Sequence, residues 1–242
     1  MATISFPQLL HLDKQVQYNC SPLFELAASL HVLASSPAEE RHRQWVSRTL
    51  RSLSLEHLSE EWSYFSPVFS KAIPWILHPD KTKGIAGDEE LYDYMVHIPL
   101  GMFRQAFSSA LHGERIIEVR DPLPVEIDLQ RDPDFVRGRF ILFLSTYWEN
   151  IFSFTWQLIA LQLSRETEQI IKASSSNDQF QEFLQSIPFP DFQDDHMQGE
   201  QPVSEVQFLH LYPSIFSCGQ PTMHIHANIG HLLYNIHDRL VK

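Results

Sequence analysis

Hydrophobic residues recur every three or four positions through most of the first three quarters of the chain, which predicts amphipathic helices. In "SPLFELAASLHVLA", Ser21 precedes a proline and then an apolar stripe, an arrangement typical of a capped helix start. The stretch "SPAEERHRQWVSRTL" repeats this signal at Ser36, and Glu39 completes a capping box. The spacing therefore predicts a multi-helix body over residues 1–187.

One of these helices is predicted to be much longer than the others. It opens at Asp132 and its pattern continues to Ala173, roughly 60 Å at a rise of 1.5 Å per residue. Its segment "YWENIFSFTW" carries large rings on several sides, which predicts a helix that is buried nearly all round. Such rings fill a core, or alternatively they line a pocket for an apolar effector. The candidate pocket residues are Tyr147, Trp148, Asn150 and Trp156.

The hydrophobic period changes from 3.6 to 2 near the end of the chain. An acidic, proline-rich stretch at 188–204 predicts an exposed loop, and the short alternating runs "EVQFLHLY", "TMHIHAN" and "HLLYNIH" follow it. We therefore expect a mainly α (α+β) fold, in which a multi-helix body with one long central helix precedes a small C-terminal antiparallel sheet. The predicted domains are a helical body at 1–187, the loop at 188–204 and a β subdomain at 205–242.

Histidines alternate with apolar residues in the last two predicted strands. Matching the apolar faces predicts a hairpin with a four-residue loop, Ala227–Gly230, in which Ile225 faces Leu232 and His226 faces His231. Neutral imidazoles at this spacing suit a divalent ion such as zinc, although histidines on the wet face of a ribbon need no ligand. The candidate metal ligands are His224, His226 and His231.

The charge of the chain argues against direct contact with nucleic acid. Thirty acidic residues outnumber 18 basic residues, giving a formal net charge of −12 at pH 7. Affinity for DNA comes largely from lysine and arginine side chains that neutralise phosphates. We therefore expect no DNA binding by this chain alone.

Compartment signals point to the cytoplasm. Cys20 and Cys218 are the only cysteines and form no paired motif, so a disulfide scaffold is excluded. The start of the chain has no basic segment followed by an uninterrupted apolar run. The most apolar stretch, Arg139 to Leu163, is interrupted by Glu149 and several amides, so no membrane span is expected.

No phosphate loop, nucleophile elbow, zinc-protease motif or CxxC pair occurs in the sequence. No residue is therefore predicted to be catalytic, and no cofactor is expected apart from the divalent metal considered above.

Three segments resemble a family of bacterial regulators with ArsR-type winged helices. "VQYNCSPLFELAASLHVLASSPAEERHRQWV" and "YWENIFSFTWQLIALQLSRE" are similar to the helical region that precedes the DNA-binding domain in that family. "VQFLHLYPSIF" resembles the late strand of that region, with its signature at Pro213, Ser214 and Phe216. The winged helix would be expected just after Lys242, and nothing before that residue reads as one.

This resemblance implies the effector-sensing or dimerisation region of a transcriptional regulator, without catalysis. It implies a homodimer, a small apolar effector, and contact with DNA only through a domain that is not present in this chain. Two alternatives remain open: a small-molecule or metal-binding enzyme of unknown reaction that uses the histidine face, and a protein-interaction module.

Overall fold

The computed structural model describes residues 15–35, 40–85, 88–113, 121–188 and 206–240. The predictions that rest on Ser36, on Glu39 and on nearly all of the acidic loop lie outside these residues. The strands are β1 (Val16–Tyr18), β2 (Phe208–Ser214), β3 (Thr222–His226) and β4 (Ile229–Asn235). The α-helices are α1 (Pro22–Ala34), α2 (Arg43–Leu55), α3 (Ser59–Phe69), α4 (Asp88–His97), α5 (Leu100–His112), α6 (Pro124–Arg131), α7 (Pro133–Tyr147), α8 (Ser153–Ala173), α9 (Asn177–Ser186) and α10 (Ile236–Leu240). The mainly α prediction with a small sheet is confirmed.

The predicted cap at Ser21 is present. Its Oγ accepts a hydrogen bond of 3.1 Å from the backbone N–H of Phe24, which satisfies one of the donors that the first turn of a helix leaves unpaired. Asp132 does the same at the start of α7, where its carboxylate accepts from the N–H of Phe135 at 3.0 Å. These local signals in the sequence therefore locate the two helix starts correctly.

The predicted long helix is present, with one local change of geometry. Between α7 and α8, residues Trp148–Phe152 form a π-helical turn, which accommodates an extra residue. The expectation of burial nearly all round is wrong, because Leu142, Phe154 and Leu158 are exposed. Aromatic content reports how much apolar surface a helix carries, but not whether every side of it has a neighbour. Within the described residues, no helix combines the length and the apolar character needed to cross a membrane.

The chain divides into two compact units. One runs from Ser21 to Gln157, and the other combines the described residues that precede and follow it. The sequence instead placed the boundary after residue 187, where the hydrophobic period changes. A change of period marks a change of secondary structure, not the edge of a core.

The Ser21–Gln157 unit is built around a cluster of phenylalanine rings. The ring of Phe140 on α7 lies 5.1 Å from that of Phe65 on α3 and 4.8 Å from that of Phe107 on α5, centroid to centroid. All three side chains are fully buried. Offset and edge-to-face pairs of this kind add to the stabilisation that burial of the rings already provides.

The other unit contains the sheet, whose strand order is β1-β2-β4-β3. The expectation of an antiparallel sheet is correct only for β3 and β4, because β1 pairs with β2, and β2 with β4, in parallel. Strand β1 was not predicted, since its three residues are too few to show alternation. Tyr234 of β4 contacts both α8 and α9: its hydroxyl donates to the buried carboxylate of Glu166 at 2.8 Å, and its ring centroid lies 6.3 Å from that of Phe183.

Candidate ligand-binding cleft and the histidines of the sheet

The Ser21–Gln157 unit contains an open cavity of about 760 Å³. Its floor is apolar and includes the buried side chains of Ile76, Ile85 and Ile98. Half-buried Trp75 and Tyr94 add aromatic surface to its walls. Pockets for small molecules typically have volumes of roughly 300–1,000 Å³ and mostly apolar linings, so both properties of this cleft suit a small ligand.

A hydrogen bond joins two of the segments that form the cleft. Tyr94 lies on α4, and its hydroxyl donates to the backbone carbonyl of Ile76 at 2.6 Å. Ile76 belongs to the 3₁₀ turn Trp75–Leu77. Burial, followed by the nearby charge of Asp80, raises the pKa of Tyr94 to about 12. The phenol is protonated at neutral pH, as tyrosine ordinarily is, so its hydroxyl can donate the bond that links the helix to the turn.

A second anchor fixes the loop that carries Lys81, Lys83 and Ile85 along the edge of the cleft. Thr82 is fully buried, and its hydroxyl lies 2.6 Å from the Oγ of Ser21. The hydroxyl of Thr82 also donates to the carbonyl of His78 at 3.0 Å. The residue that caps α1 thus also holds this loop in place.

Charges of both signs surround the apolar floor of the cleft. Lys81 and Lys83 lie on the loop, and α4 contributes Glu89, Glu90 and Asp93. All five side chains are exposed. Because neither sign lines the whole rim, the cleft favours a ligand whose main contact is apolar and whose polar groups lie at its edge.

The four candidate pocket residues on the long helix do not come together around this cleft. The hydroxyl of fully buried Tyr147 lies 3.1 Å from the Oγ of Ser29, and burial raises the pKa of Tyr147 far above its usual value. Trp148 and Trp156 are half-buried, and Asn150 is exposed. None of the four lines the cleft. Tyr147 of the aromatic stretch therefore belongs to the core. The cleft is formed by other segments, which the sequence patterns did not indicate as a binding site.

The hairpin of β3 and β4 forms with a different register from the one predicted. Its loop is only Ala227 and Asn228, both with positive φ, as in the two-residue type I′ turn that matches the twist of a hairpin. Consequently His226 lies opposite Ile229, and His224 lies opposite His231. The expected pairing of Ile225 with Leu232 is wrong as well, because Ile225 faces Gly230.

The three candidate histidines nevertheless share one face, since the observed register differs from the predicted register by an even number of residues. Strand β2 brings a further histidine onto that face, because His210 pairs directly with His231 and their ring centroids are 5.1 Å apart. The hydroxyl of Tyr212 lies 3.1 Å from Nδ1 of His231. His210 was not predicted, because only the parallel pairing of β2 with β4 places it there. Across the part of the chain that the structure describes, no three His, Cys, Asp or Glu side chains are arranged to hold a metal ion.

Comparison with known proteins gives no relative whose site could be compared with this cleft. No protein-family model, no curated protein and no solved structure matches the chain. The resemblance to ArsR-type regulators therefore stays a prediction, and the geometry of the cleft is the main guide to function.

Proposed function

We propose that the Ser21–Gln157 unit binds a small, mainly apolar molecule in the cleft between α4 and the loop that carries Lys81 and Lys83. The observation that carries this proposal is the cleft itself, with its volume of about 760 Å³ and its apolar floor. Its walls are held by hydrogen bonds from Tyr94 and Thr82, which favours a preformed site over an incidental gap.

In this proposal the chain is the effector-sensing region of a cytoplasmic transcriptional regulator of the ArsR type, without catalysis of its own. The three sequence segments that resemble the helical region of such regulators support this assignment. The net charge of −12 disfavours contact with DNA phosphates, which supports contact with DNA through a separate domain.

A neutral fluorescent probe tests ligand binding in the cleft. N-phenyl-1-naphthylamine is small and apolar, and its fluorescence rises when it leaves water. We expect saturable binding to the whole chain with a micromolar dissociation constant. Because the side chain of Met102 lines the cleft, the substitution Met102→Trp fills space there and is expected to weaken binding at least tenfold.

The matched control is Val96→Trp. Val96 is 39% exposed and Met102 is 42% exposed, and Val96 does not line the cleft. This control is expected to bind the probe as the parent does. Equal affinity in the parent and the Met102→Trp variant, or an equal loss in both variants, would contradict the proposal.

A further inference from the structure

The rim of the cleft carries more negative than positive charge among the residues that the structure describes. Three carboxylates of α4 line the cleft: Glu89, Glu90 and Asp93. Lys81 and Lys83 line it as well, but Nζ of Lys81 lies 3.0 Å from a carboxylate oxygen of Asp80. Because that pair offsets its own charge, Lys83 is left to balance the three carboxylates of α4.

The folding of α4 accounts for two of these carboxylates, but not for the third. Glu89 and Glu90 lie in the first turn of the helix, where the positive end of the helix dipole favours acidic side chains. Asp93 lies beyond that turn and follows Glu89 by four residues, a spacing at which like charges destabilise a helix. A positive charge bound beside both residues would relieve this repulsion.

The carboxylate of Asp93 keeps acceptor capacity for a ligand. Nδ1 of His97 lies 3.2 Å from one of its oxygens and 2.7 Å from the backbone carbonyl of Asp93. Because a carbonyl only accepts, Nδ1 carries a hydrogen and shares it between the two acceptors. The side chain of Asp93 is 77% exposed, so its remaining lone pairs are open to a donor in the cleft.

The aromatic walls of the cleft also suit a positive charge. Half-buried Trp75 and Tyr94 line the cleft, and the face of an aromatic ring attracts cations. The hydroxyl of Tyr94 donates its one hydrogen to the carbonyl of Ile76, so its oxygen offers only lone pairs to a ligand. Burial and then the charge of Asp80 raise the pKa of Tyr94 to about 12, which places this hydroxyl in a negative environment.

We propose that the ligand of the cleft is an organic cation, with its apolar body on the isoleucine floor and its ammonium group at the rim beside Glu89 and Asp93. This inference rests on the proposed binding of a small, mainly apolar molecule and adds the charge of that molecule. At the exposed rim the ammonium group stays partly hydrated, so binding avoids most of the cost of burying a charge.

Three naphthalene compounds that differ in the charge of their end group test the inference. At neutral pH, 2-(1-naphthyl)ethylammonium is positive, 1-naphthylacetamide is neutral and 1-naphthylacetate is negative. Each competes with N-phenyl-1-naphthylamine for the whole chain, and the loss of probe fluorescence gives its affinity. We expect the cation to bind about tenfold more tightly than the amide, and the acetate to bind more weakly than the amide, because of the charge and the rings at the rim.

The outcomes separate this inference from the proposed function. If N-phenyl-1-naphthylamine does not bind, the proposed function fails and the inference fails with it. If the probe binds and the three compounds compete equally or not at all, only the inference is overturned. Tightest binding of the acetate would mean that Lys81 and Lys83 select an anion, and would overturn the inference as well.

Paired variants test which carboxylates select the cation. Glu89→Gln with Asp93→Asn is expected to lower the ratio of cation affinity to amide affinity from about tenfold to about twofold. The control, Glu56→Gln with Glu60→Gln, removes the same charge from exposed positions that do not line the cleft, and is expected to keep the parent ratio. Circular dichroism checks that both variants keep their helices, and Asp93→Asn alone is measured if the double variant does not fold. An unchanged ratio at the rim, or an equal loss in the control, would refute the inference.

Salt separates charge from shape as the cause of selectivity. Ions screen interactions between exposed charges, so the ratio of cation affinity to amide affinity is expected to fall toward one as sodium chloride rises from about 20 mM to about 500 mM. The same titrations measure it. A ratio that does not change with salt would mean that shape distinguishes the two compounds, which would contradict selection by the carboxylates.

Discussion

The hydroxyl of Tyr94 donates a hydrogen bond of 2.6 Å to the backbone carbonyl of Ile76, and both residues line the cleft. This contact joins α4 to the 3₁₀ turn Trp75–Leu77, which are separated in the chain by the loop that carries Lys81 and Lys83. The shape of the cleft therefore depends on a phenol that bonds to the backbone of a distant segment. Removing that hydroxyl separates the effect of the hydrogen bond from the effect of the ring.

Tyr94→Phe is expected to lower the free energy of unfolding by about 1–2 kcal/mol, because the carbonyl of Ile76 loses a buried partner. Binding of N-phenyl-1-naphthylamine is expected to weaken as the walls of the cleft lose their link. Chemical denaturation and probe titration measure the two effects. Tyr92→Phe serves as the control, since Tyr92 lies on the same helix and is exposed. If Tyr94→Phe changes the unfolding free energy and the probe affinity no more than Tyr92→Phe does, the hydrogen bond does not hold the cleft.

Alkaline pH is expected to destabilise the fold through the same residue. Burial raises the pKa of Tyr94 to about 12, and burial together with the hydrogen bond to Asp128 raises the pKa of Tyr64 to about 12. A raised pKa in the folded state stabilises the fold fully below the unfolded value near 10, and this contribution is lost as pH rises toward 12. Unfolding free energies measured from pH 9 upward are expected to fall over that window, and to fall less steeply in Tyr94→Phe. If the unfolding free energy of the parent stays constant over this pH range, the raised pKa values of the two tyrosines are contradicted.

Ser21→Ala tests whether the cap of α1 also anchors the loop beside the cleft. Ser21 Oγ accepts from the N–H of Phe24 and contacts the hydroxyl of Thr82, so its loss removes a cap and takes a partner from a buried hydroxyl. We expect a loss of about 2–3 kcal/mol, of which roughly 1 kcal/mol is the cap. Ser176→Ala is the matched control, because Ser176 caps α9 in an exposed position by accepting from the N–H of Gln179. The control is expected to lose only about 1 kcal/mol, and equal losses would mean that Thr82 adds nothing.

Gly230→Ala tests the observed register of the hairpin. A Cβ atom at Gly230 would lie 2.9 Å from Cε of Met223 and 3.2 Å from Cδ1 of Leu209, so both side chains would have to shift. We expect destabilisation of about 1–2 kcal/mol. Gly101→Ala is expected to stabilise by about 0.5–1 kcal/mol, because Gly101 lies within α5 and a Cβ atom added there would meet nothing within 4 Å. A neutral Gly230→Ala would indicate the wider four-residue loop.

The parts of the fold that local chemistry decides were predictable from the sequence. Ser21 and Asp132 each accept a hydrogen bond from a backbone N–H three residues later, so their role as caps depends only on neighbouring residues. The register of β3 and β4 was not predictable from apolar matching, because Ala227 adopts a positive φ that alanine seldom takes and so shortens the loop. The histidine beside His231 was missed for a related reason, since parallel pairing depends on tertiary contacts.

The cleft itself carries no sequence signature. Its lining comes from a 3₁₀ turn, a loop, α4 and the start of α5, and none of these segments carries a ligand-binding motif. The aromatic stretch at Tyr147 gave the stronger signal, but its rings pack against Phe143 and Phe152. Large rings are equally useful to a core and to a pocket, so their presence alone does not separate the two.

Methyl NMR of the whole chain during titration with N-phenyl-1-naphthylamine tests the central claim most directly, because it reports where the probe binds. We expect saturable shifts in the methyl resonances of Ile76, Ile85, Ile98 and Met102, which line the cleft. The methyl groups of Ile170 and Ile225, which belong to the other unit, are expected to stay unchanged. Shifts at the second pair without shifts at the cleft, or no saturable shift at all, would contradict the proposal that this protein binds a small apolar molecule in the cleft.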